Sequence, residues 1–277
     1  MWNPFKIYKL TKIMWNREEN YNHYDDNVSV AAADVAVQLN SQMLFPSNLF
    51  IVAKFRATPR GRDILWGRND KSVQYQQEKI LPVITNKNVM DTYTPNTVGG
   101  HYHHLIKQWS FSELWDRRFH REDENGFFGW AHEVRSNVSR HVFLSHDFQH
   151  VLFRYDTSQL GEACIQAVTH VMTRHIGPLY ASYIMALKVC YKYKSWEPLH
   201  ILREAYKLAK QARDDFWYLN PLEIIDLDID EARKKYNIGM PVKFLKFAMQ
   251  NRESFRLDSI HPEYNDVKLN FATAQSI

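Results

Sequence analysis

Apolar residues recur at intervals of three and four along most of the chain, which is the spacing of one face of an α-helix. An alanine-rich run between Asp26 and Leu44 has this spacing and predicts one buried helix. The run Ala131–Phe153 contains neither proline nor glycine and predicts a helix of roughly 20 residues, on the order of 30 Å long. The pattern therefore predicts a predominantly helical fold without internal repeats.

The helical pattern is interrupted where turn-forming residues accumulate. Residues Leu81–His101 are rich in Pro, Asn, Thr and Gly, which predicts a long connection rather than a helix. A second stretch, RYDTSQ, predicts a turn, and Asp156 with Gln159 resembles a capping box that begins the next helix. Glu162 is then expected in the second turn of that helix, beside Gly161, whose missing Cβ would let two helices approach closely.

A stripe of large apolar residues follows on one face of the next predicted helix. It consists of Ile176, Tyr180, Tyr183, Ile184 and Leu187. The helical spacing of this stripe is typical of an ordinary core face.

Composition and charge narrow the class of protein. At 277 residues, 45% of them hydrophobic, the chain can bury a large core as one domain or two closely packed ones. Its 35 basic residues nearly balance 31 acidic ones, and the net charge of +4 argues against nucleic acid as a partner. No apolar run reaches the roughly 20 residues of a membrane-spanning helix. Cys164 and Cys190 lie in apolar surroundings, which predicts buried, reduced thiols.

The N-terminal residues 1–27 mix lysines with aromatic and aliphatic side chains. They contain no continuous apolar segment and no cleavage-site pattern, so a secretory signal is not expected. The mixture suits an anionic membrane surface. It suits equally an arm that packs on the domain, and both interpretations stay open.

The segment SHDFQHVLFRYDTSQLGE concentrates side chains that bind metals. On a helix His146 and His150 lie about 40° apart, and Asp147 falls within the same arc of roughly 100°. Glu162 follows His150 after eleven intervening residues and a predicted turn. A histidine pair one turn apart is common by itself, whereas the whole spacing HDxxH-x11-E is rare by chance. We therefore predict a divalent-metal site formed by His146, Asp147, His150 and Glu162.

The mixed nitrogen and oxygen ligands of this site admit zinc, iron, manganese or cobalt. Upstream on the same helix, Arg135 is expected near the face of the histidines. Three polar residues share the predicted face of Glu162, namely Gln166, Thr169 and Thr173. They either hydrogen-bond the ligands or form a solvated face. His170 and His175 are expected on the same helix but turned away from Glu162.

Different classes of protein are compatible with such a site. A non-catalytic protein would hold a structural metal with all four positions filled, whereas an enzyme would keep open positions for water. A hydrolase is the weaker alternative. Although HDxxH is close to the HExxH motif of metalloproteases, Asp147 is shorter than the glutamate that serves there as general base.

The residues HDFQHVLFRYDTSQLGE resemble the HDxxH-x11-E signature of the coenzyme Q biosynthesis protein Coq-four family. Two upstream segments agree: FRATPRGRDIL resembles the family's M-x-x-x-P-x-G-R-x-I-L segment with Phe55 in place of Met, and TPNTVGGHY resembles P-x-x-T-L-G-x-x-Y with Val98 in place of Leu. Downstream, DIDEARKKYNI resembles the family's final motif. The resemblance covers about Val28–Pro241. It predicts an N-terminal arm at 1–27, a helical domain at 28–250 and a tail at 251–277.

The resemblance implies an all-α single domain with a metal site between two adjacent helices and an apolar lipid channel. It implies ubiquinone biosynthesis, through metal-dependent oxidative decarboxylation and hydroxylation at C1 of a polyprenyl hydroxybenzoate. The four ligands would be catalytic and zinc the expected metal. The residues expected to bind the lipid substrate are Arg135, Tyr180, Tyr183, Ile184 and Leu187.

The resemblance also implies partners and a location. The expected partners are a polyprenyl quinone precursor, other ubiquinone-biosynthesis proteins and a membrane surface, and a homodimer is compatible with the family. The expected location is peripheral, on the cytoplasmic face of a bacterial inner membrane, or on the matrix side of the mitochondrial inner membrane in a eukaryote. The alternative implied is a non-catalytic scaffold of the biosynthetic complex.

Overall fold

The computed structural model describes residues 8, 11–12, 15, 53–54, 56–66, 79–106, 141, 145–251 and 255. The helix predicted from Asp26 and most of the helix predicted from Ala131 lie outside these residues. Regular structure within the described residues is helical, and an isolated β-bridge joins Thr97 to Asp228. The prediction of an all-α fold is therefore confirmed.

In chain order the α-helices of the described residues are α1 (Pro59–Trp66), α2 (Leu81–Thr85), α3 (Lys87–Met90), α4 (Val98–Ile106), α5 (145–153), α6 (Gln159–Thr173), α7 (Ile176–Tyr193), α8 (Glu197–Gln211), α9 (Ile229–Tyr236) and α10 (Val242–Gln250). Short 3₁₀ helices lie at Asp214–Tyr218 and Pro221–Glu223. None of the described helices is both long enough and apolar enough to cross a bilayer.

The chain divides into two compact units. One comprises residues 1–51, 153–213 and 237–277, and the other comprises 52–152 and 214–236. The predicted domain boundaries after residues 27 and 250 stay predictions.

In the first unit α6 packs against α7 and α8, and α10 packs against α8. Every residue of α6 except His170 is buried. The Ser158 side chain caps the helix by accepting the backbone N–H of Gly161, and the Asp156 carboxylate accepts the backbone N–H of Ser158. The predicted cap at Asp156 is therefore wrong by two residues. Glu162 consequently lies in the first turn of α6 and not in the second.

Gly161 is required by the turn that precedes α6. A Cβ at this position would lie 1.9 Å from the carbonyl oxygen of Asp156. The expectation that Gly161 lets two helices approach is corrected accordingly, because the atoms that come close belong to its own capping turn.

Both α6 and α7 end at basic residues in the left-handed conformation. Arg174 has φ of 58° and donates its backbone N–H to His170, and Lys194 has φ of 50° and donates to Cys190. Because the chain turns at Arg174, His175 is the N-cap residue that precedes α7. The expectation that His175 shares a helix with Glu162 is therefore wrong.

The apolar stripe lies on the outward side of α7. Ile176 is 42% exposed and Tyr183 is 50% exposed, and the other three residues of the stripe are half-buried. The core interpretation of the stripe is thus wrong. The inward side consists of smaller residues, namely Gly177, Pro178, Ala181, Ser182, Met185, Ala186, Val189 and Cys190.

Part of the N-terminal arm contacts this outward side. The Thr11 hydroxyl hydrogen-bonds the Tyr180 hydroxyl, and the Trp15 ring lies 6.1 Å from the Tyr191 ring, between centroids. These contacts support the interpretation of the arm as a segment packed on its own unit. Tyr8 is nevertheless 66% exposed and Tyr191 is 77% exposed, so much aromatic surface stays accessible.

In the second unit the segment predicted as a long connection folds as α2, α3 and the start of α4. Proline lies in the first turn of α2, and Asn86 caps α3 by accepting the backbone N–H of Asn88. The start of α4 is held by two backbone bonds, from Val98 to Leu227 and from Gly99 to Ile225. The expectation of a connection without helices is therefore wrong.

Candidate metal centre

Helix α5 presents His146 and His150 roughly opposite Phe148 and Leu152. Phe148 and Leu152 are fully buried, and the Phe148 ring stacks on Tyr102 of α4 with 4.3 Å between centroids. The rings of His146 and His150 meet edge to face at 4.9 Å. This arrangement is the one predicted from their spacing of one helical turn.

The structure brings His146, His150 and Glu162 together. One ligand atom of each residue lies within 4.8 Å of the others. His150 is 1% exposed, Glu162 is 3% exposed and His146 is half-buried. The described residues thus contain a group that could hold a metal ion.

The donor set fits a divalent cation. Donors on one tetrahedral zinc lie about 3.3 Å apart, since Zn–N and Zn–O bonds are about 2.0–2.1 Å long. From a separation within 4.8 Å, shifts of about 1 Å by the side chains reach that distance. Two imidazoles and a carboxylate are ligands that zinc and iron accept, and they leave coordination positions for other groups.

Asp147, the fourth predicted ligand, is directed at His146. Its Oδ1 lies 3.1 Å from His146 Nδ1. When Nδ1 carries the proton and donates a hydrogen bond to this carboxylate, Nε2 keeps the lone pair that binds a metal. The structure therefore brings three of the four predicted ligands together and places Asp147 where it orients one of them.

The predicted lipid-binding residues are distributed differently. Arg135 lies outside the described residues. Tyr180, Tyr183, Ile184 and Leu187 share the outward side of α7.

A buried polar face of α6 extends from Glu162 along the helix. Gln166 is 9% exposed, Thr169 is 7% exposed and Thr173 is 3% exposed, so the alternative of a solvated face is wrong. Gln159 is also buried on this side. The sequence pattern assigns Gln159 to a capping motif at the start of the helix. The 3.6-residue period of the helix shows in addition that Gln159 shares the face of Glu162.

Burial shifts the pKa of two groups on α6. It raises the pKa of the Cys164 thiol well above its usual value, and the negative charges of Glu204 and Asp156 act in the same direction. It lowers the pKa of His170, whose Nδ1 donates to the His175 carbonyl at 2.7 Å. Cys164 is therefore a protonated core residue, and His170 favours its neutral form.

No known family model and no curated protein sequence matches the chain. Among solved structures, the chain is similar to a candidate ubiquinone biosynthesis protein from Nostoc punctiforme, with 13% sequence identity and a TM-score of 0.54. The match covers 85% of this chain and 98% of the other. At this level of identity the similarity shows a shared helical fold.

Proposed function

We propose that this protein acts in ubiquinone biosynthesis, as a metal-dependent enzyme that replaces the C1 carboxylate of a polyprenyl hydroxybenzoate with a hydroxyl group. The observation that carries the proposal is the convergence of half-buried His146 with buried His150 and Glu162. The resemblance of the HDxxH-x11-E segment to the Coq-four family supports the pathway. The fold shared with the Nostoc protein, which is itself a candidate for that pathway, supports it independently.

Each site residue has a role in this proposal. His146, His150 and Glu162 hold the cation, and the Asp147 carboxylate fixes the His146 ring by its contact of 3.1 Å. A bound divalent ion would supply Lewis acidity to a substrate oxygen. The burial of His150 and Glu162 excludes bulk water, which strengthens the interaction between charges at the site.

The overall reaction balances with dioxygen and water as co-reactants. The bond between C1 and the carboxyl carbon breaks, and that carbon leaves as carbon dioxide. Water supplies the oxygen of the new C1 hydroxyl, and two electrons from the ring reduce dioxygen to hydrogen peroxide. One substrate, one dioxygen and one water thus give one hydroxylated ring, one carbon dioxide and one hydrogen peroxide.

The polyprenyl tail and the membrane are assigned to the outward side of α7. Its aromatic and aliphatic side chains suit a lipid. Lys192 and Lys194 are exposed at the C-terminal end of α7, and Lys12 of the N-terminal arm is exposed next to Thr11, which contacts Tyr180. The sequence between Glu162 and Glu197 contains no acidic residue. Such a surface suits the interface of an anionic bilayer. This assignment agrees with a peripheral protein that works with other enzymes of the pathway.

The test uses purified, metal-analysed protein with a substrate isotopically labelled at the carboxyl carbon. Labelled carbon dioxide and the ring hydroxylated at C1 are expected, and Asp147→Asn should lower turnover at least tenfold, which corresponds to about 1.4 kcal/mol. Metal content is measured for the same samples. Undiminished turnover after complete removal of the metal would contradict the proposal.

The alternative is a lipid-binding scaffold with a structural metal. The nearly complete burial of His150 and Glu162 is the observation that favours it, since a site with little access to solvent suits a metal that only stabilises the fold. A scaffold gives no turnover in isolation, and removal of its metal lowers the midpoint of thermal unfolding. An enzyme gives turnover that depends on the metal, so the two measurements together distinguish the functions.

A further inference from the structure

Helix α6 is buried except at His170, yet its polar and apolar residues are sharply separated. Measured around the helix from Glu162, the polar residues of α6 fall within an arc of about 100°. These residues are Gln159, Glu162, Gln166, Thr169, His170 and Thr173. The remaining circumference is apolar. A buried helix needs polar surroundings on such a face, because an unpaired polar group in a core is costly.

Two groups on this face have no hydrogen-bond partner among the described residues. They are the side-chain amide nitrogen of Gln159 and the hydroxyl of Thr169. Gln159 is 5% exposed and Thr169 is 7% exposed, so water reaches neither readily. An unsatisfied buried group costs roughly 1–3 kcal/mol of stability. The two groups lie on either side of Glu162 along the helix.

Thr173 provides the contrast on the same face. Its hydroxyl donates to the Thr169 carbonyl at 2.8 Å and accepts the backbone N–H of His175 at 3.2 Å. Its hydrogen bonds are thus made within the protein. The two groups without a hydrogen-bond partner among the described residues lie on the part of the face nearer Glu162.

We infer that Gln159, Gln166 and Thr169, here called the polar row, bind the oxygen substituents of the substrate's aromatic head group. The inference rests on the proposed function. Gln166 lies one turn beyond Glu162 and Thr169 two turns beyond it, about 6 and 10 Å along the helix axis. A ring held near Glu162 therefore has the polar row beside it.

The side chains of the polar row favour binding of the aromatic head group over binding of the isoprenoid tail. Amide and hydroxyl groups match phenol and carbonyl oxygens, whereas an isoprenoid offers them no hydrogen bond. A buried donor or acceptor without a hydrogen-bond partner costs free energy. A ring that lacks the matching oxygen is therefore rejected more strongly than one that lacks a methyl group. The polar row thus sets the specificity for the substitution pattern of the ring.

Thr169→Val tests this inference, because valine keeps the shape and removes the hydroxyl. Without ligand, the variant should unfold at a temperature higher by about 2 °C or more, since it loses an unsatisfied buried group. With metal-loaded protein and 4-hydroxybenzoate as the probe, its affinity by calorimetry should fall about tenfold, or about 1.4 kcal/mol. Thr169→Ser, which restores a hydroxyl, should bind nearly as well as wild type.

Thr173→Val is the matched control. It should lower the unfolding temperature, because it removes satisfied hydrogen bonds, and it should leave the affinity for 4-hydroxybenzoate unchanged. Equal probe affinity in wild type and Thr169→Val would overturn the inference, as would failure of the wild type to bind the probe. Neither result touches the proposed function, which is judged by turnover of the polyprenyl substrate. Probe binding through Thr169 without any turnover would instead support the inference and contradict the proposed reaction.

Discussion

Helices α6 and α7 pack against each other within one unit, yet they depart from the usual distribution of side chains in opposite directions. The buried helix α6 carries a polar face, and α7 carries large apolar residues on its outward side. Most helices of globular proteins place apolar residues inside and polar residues outside. Each reversal reduces stability or solubility in isolation. The comparison teaches that burial alone does not explain either side, and the proposals above assign a polar head group to the face of α6 and an apolar tail to the outward side of α7.

The largest difference is expected when a charged residue is introduced on the inward and on the outward side of α7. Met185 is 1% exposed on the inward side, and Met185→Glu should lower the free energy of unfolding by roughly 3–5 kcal/mol, because it buries a charge. Tyr183→Glu is the matched control on the outward side, where Tyr183 is 50% exposed. It should change stability by less than about 0.5 kcal/mol. Urea unfolding of both variants measures the difference.

Tyr183→Glu also tests the outward side as a lipid surface. Its binding to vesicles that contain anionic lipid should be weaker than that of wild type. Unchanged vesicle binding together with unchanged stability would remove α7 from the proposed membrane surface.

The next largest effect is expected at the predicted metal ligands. Glu162→Ala and His150→Ala should lower metal affinity by about a hundredfold or more, since loss of a direct ligand exceeds the tenfold to hundredfold cost of losing an outer partner. Helix content by circular dichroism should stay nearly unchanged, because apolar packing holds α5 and α6. His200→Ala, an exposed histidine of α8, is the control and should keep full occupancy. Full metal occupancy in both ligand variants would refute the centre.

A smaller effect tests the turn that positions Glu162. Replacing glycine by alanine within a helix usually stabilises it by up to about 1 kcal/mol. Gly161→Ala should instead destabilise the protein by about 2 kcal/mol, because its Cβ meets a backbone oxygen that cannot move freely. In the control Gly239→Ala the nearest atom is a methyl carbon of Leu208 at 2.8 Å, which can rotate away. A stabilising effect of Gly161→Ala, measured by thermal unfolding, would contradict the close approach.

The smallest effect is a pH dependence at the end of α6. Burial lowers the pKa of His170 below its usual value of about 6.5, so the unfolded chain binds a proton before the folded protein does. Stability is therefore full above about pH 6.5 and decreases as the pH falls towards the lowered pKa. In His170→Gln the loss of stability between about pH 7.5 and about pH 5.5 should be smaller than in wild type. Equal losses in the two proteins would show that His170 does not contribute.

The candidate group of His146, His150 and Glu162 was predictable because the three residues are close together in the sequence. The spacing of His146 and His150 on one helix, and a short turn before Glu162, determine which side chains meet. Asp147 was assigned as a ligand because helical spacing predicts the direction in which a side chain projects from the helix. The spacing does not predict whether the carboxylate binds a metal or a neighbouring imidazole. That choice depends on side-chain rotation, which the contact with His146 Nδ1 determines.

The orientation of α7 was not predictable from periodicity. Both of its sides are apolar, and the side with the larger residues was expected to be the better candidate for burial. The structure turns the small residues Ala181, Ser182 and Ala186 inward instead, where small side chains let helices pack closely. Close packing against α6 and α8 therefore outweighed the greater hydrophobicity of the tyrosines.

The segment Leu81–His101 shows why residues typical of turns misled the prediction. Proline and asparagine are frequent in loops, but they also start helices, and here proline in the first turn of α2 and Asn86 before α3 serve in that way. With helices this short, the start residues make up much of the segment. Composition alone therefore cannot separate two short helices from a connection.

The left-handed ends of α6 and α7 have a consequence for laboratory evolution of the site. Arg174 and Lys194 hold φ values of 58° and 50°, which cost a residue with a side chain roughly 1 kcal/mol each relative to glycine. Arg174→Gly combined with Lys194→Gly would remove that cost, less the favourable interaction of each cation with the helix dipole, roughly 0.3–1 kcal/mol. The remaining gain is a reserve against destabilising substitutions. A library that varies the ring specificity of the polar row would sample more folded members in this background.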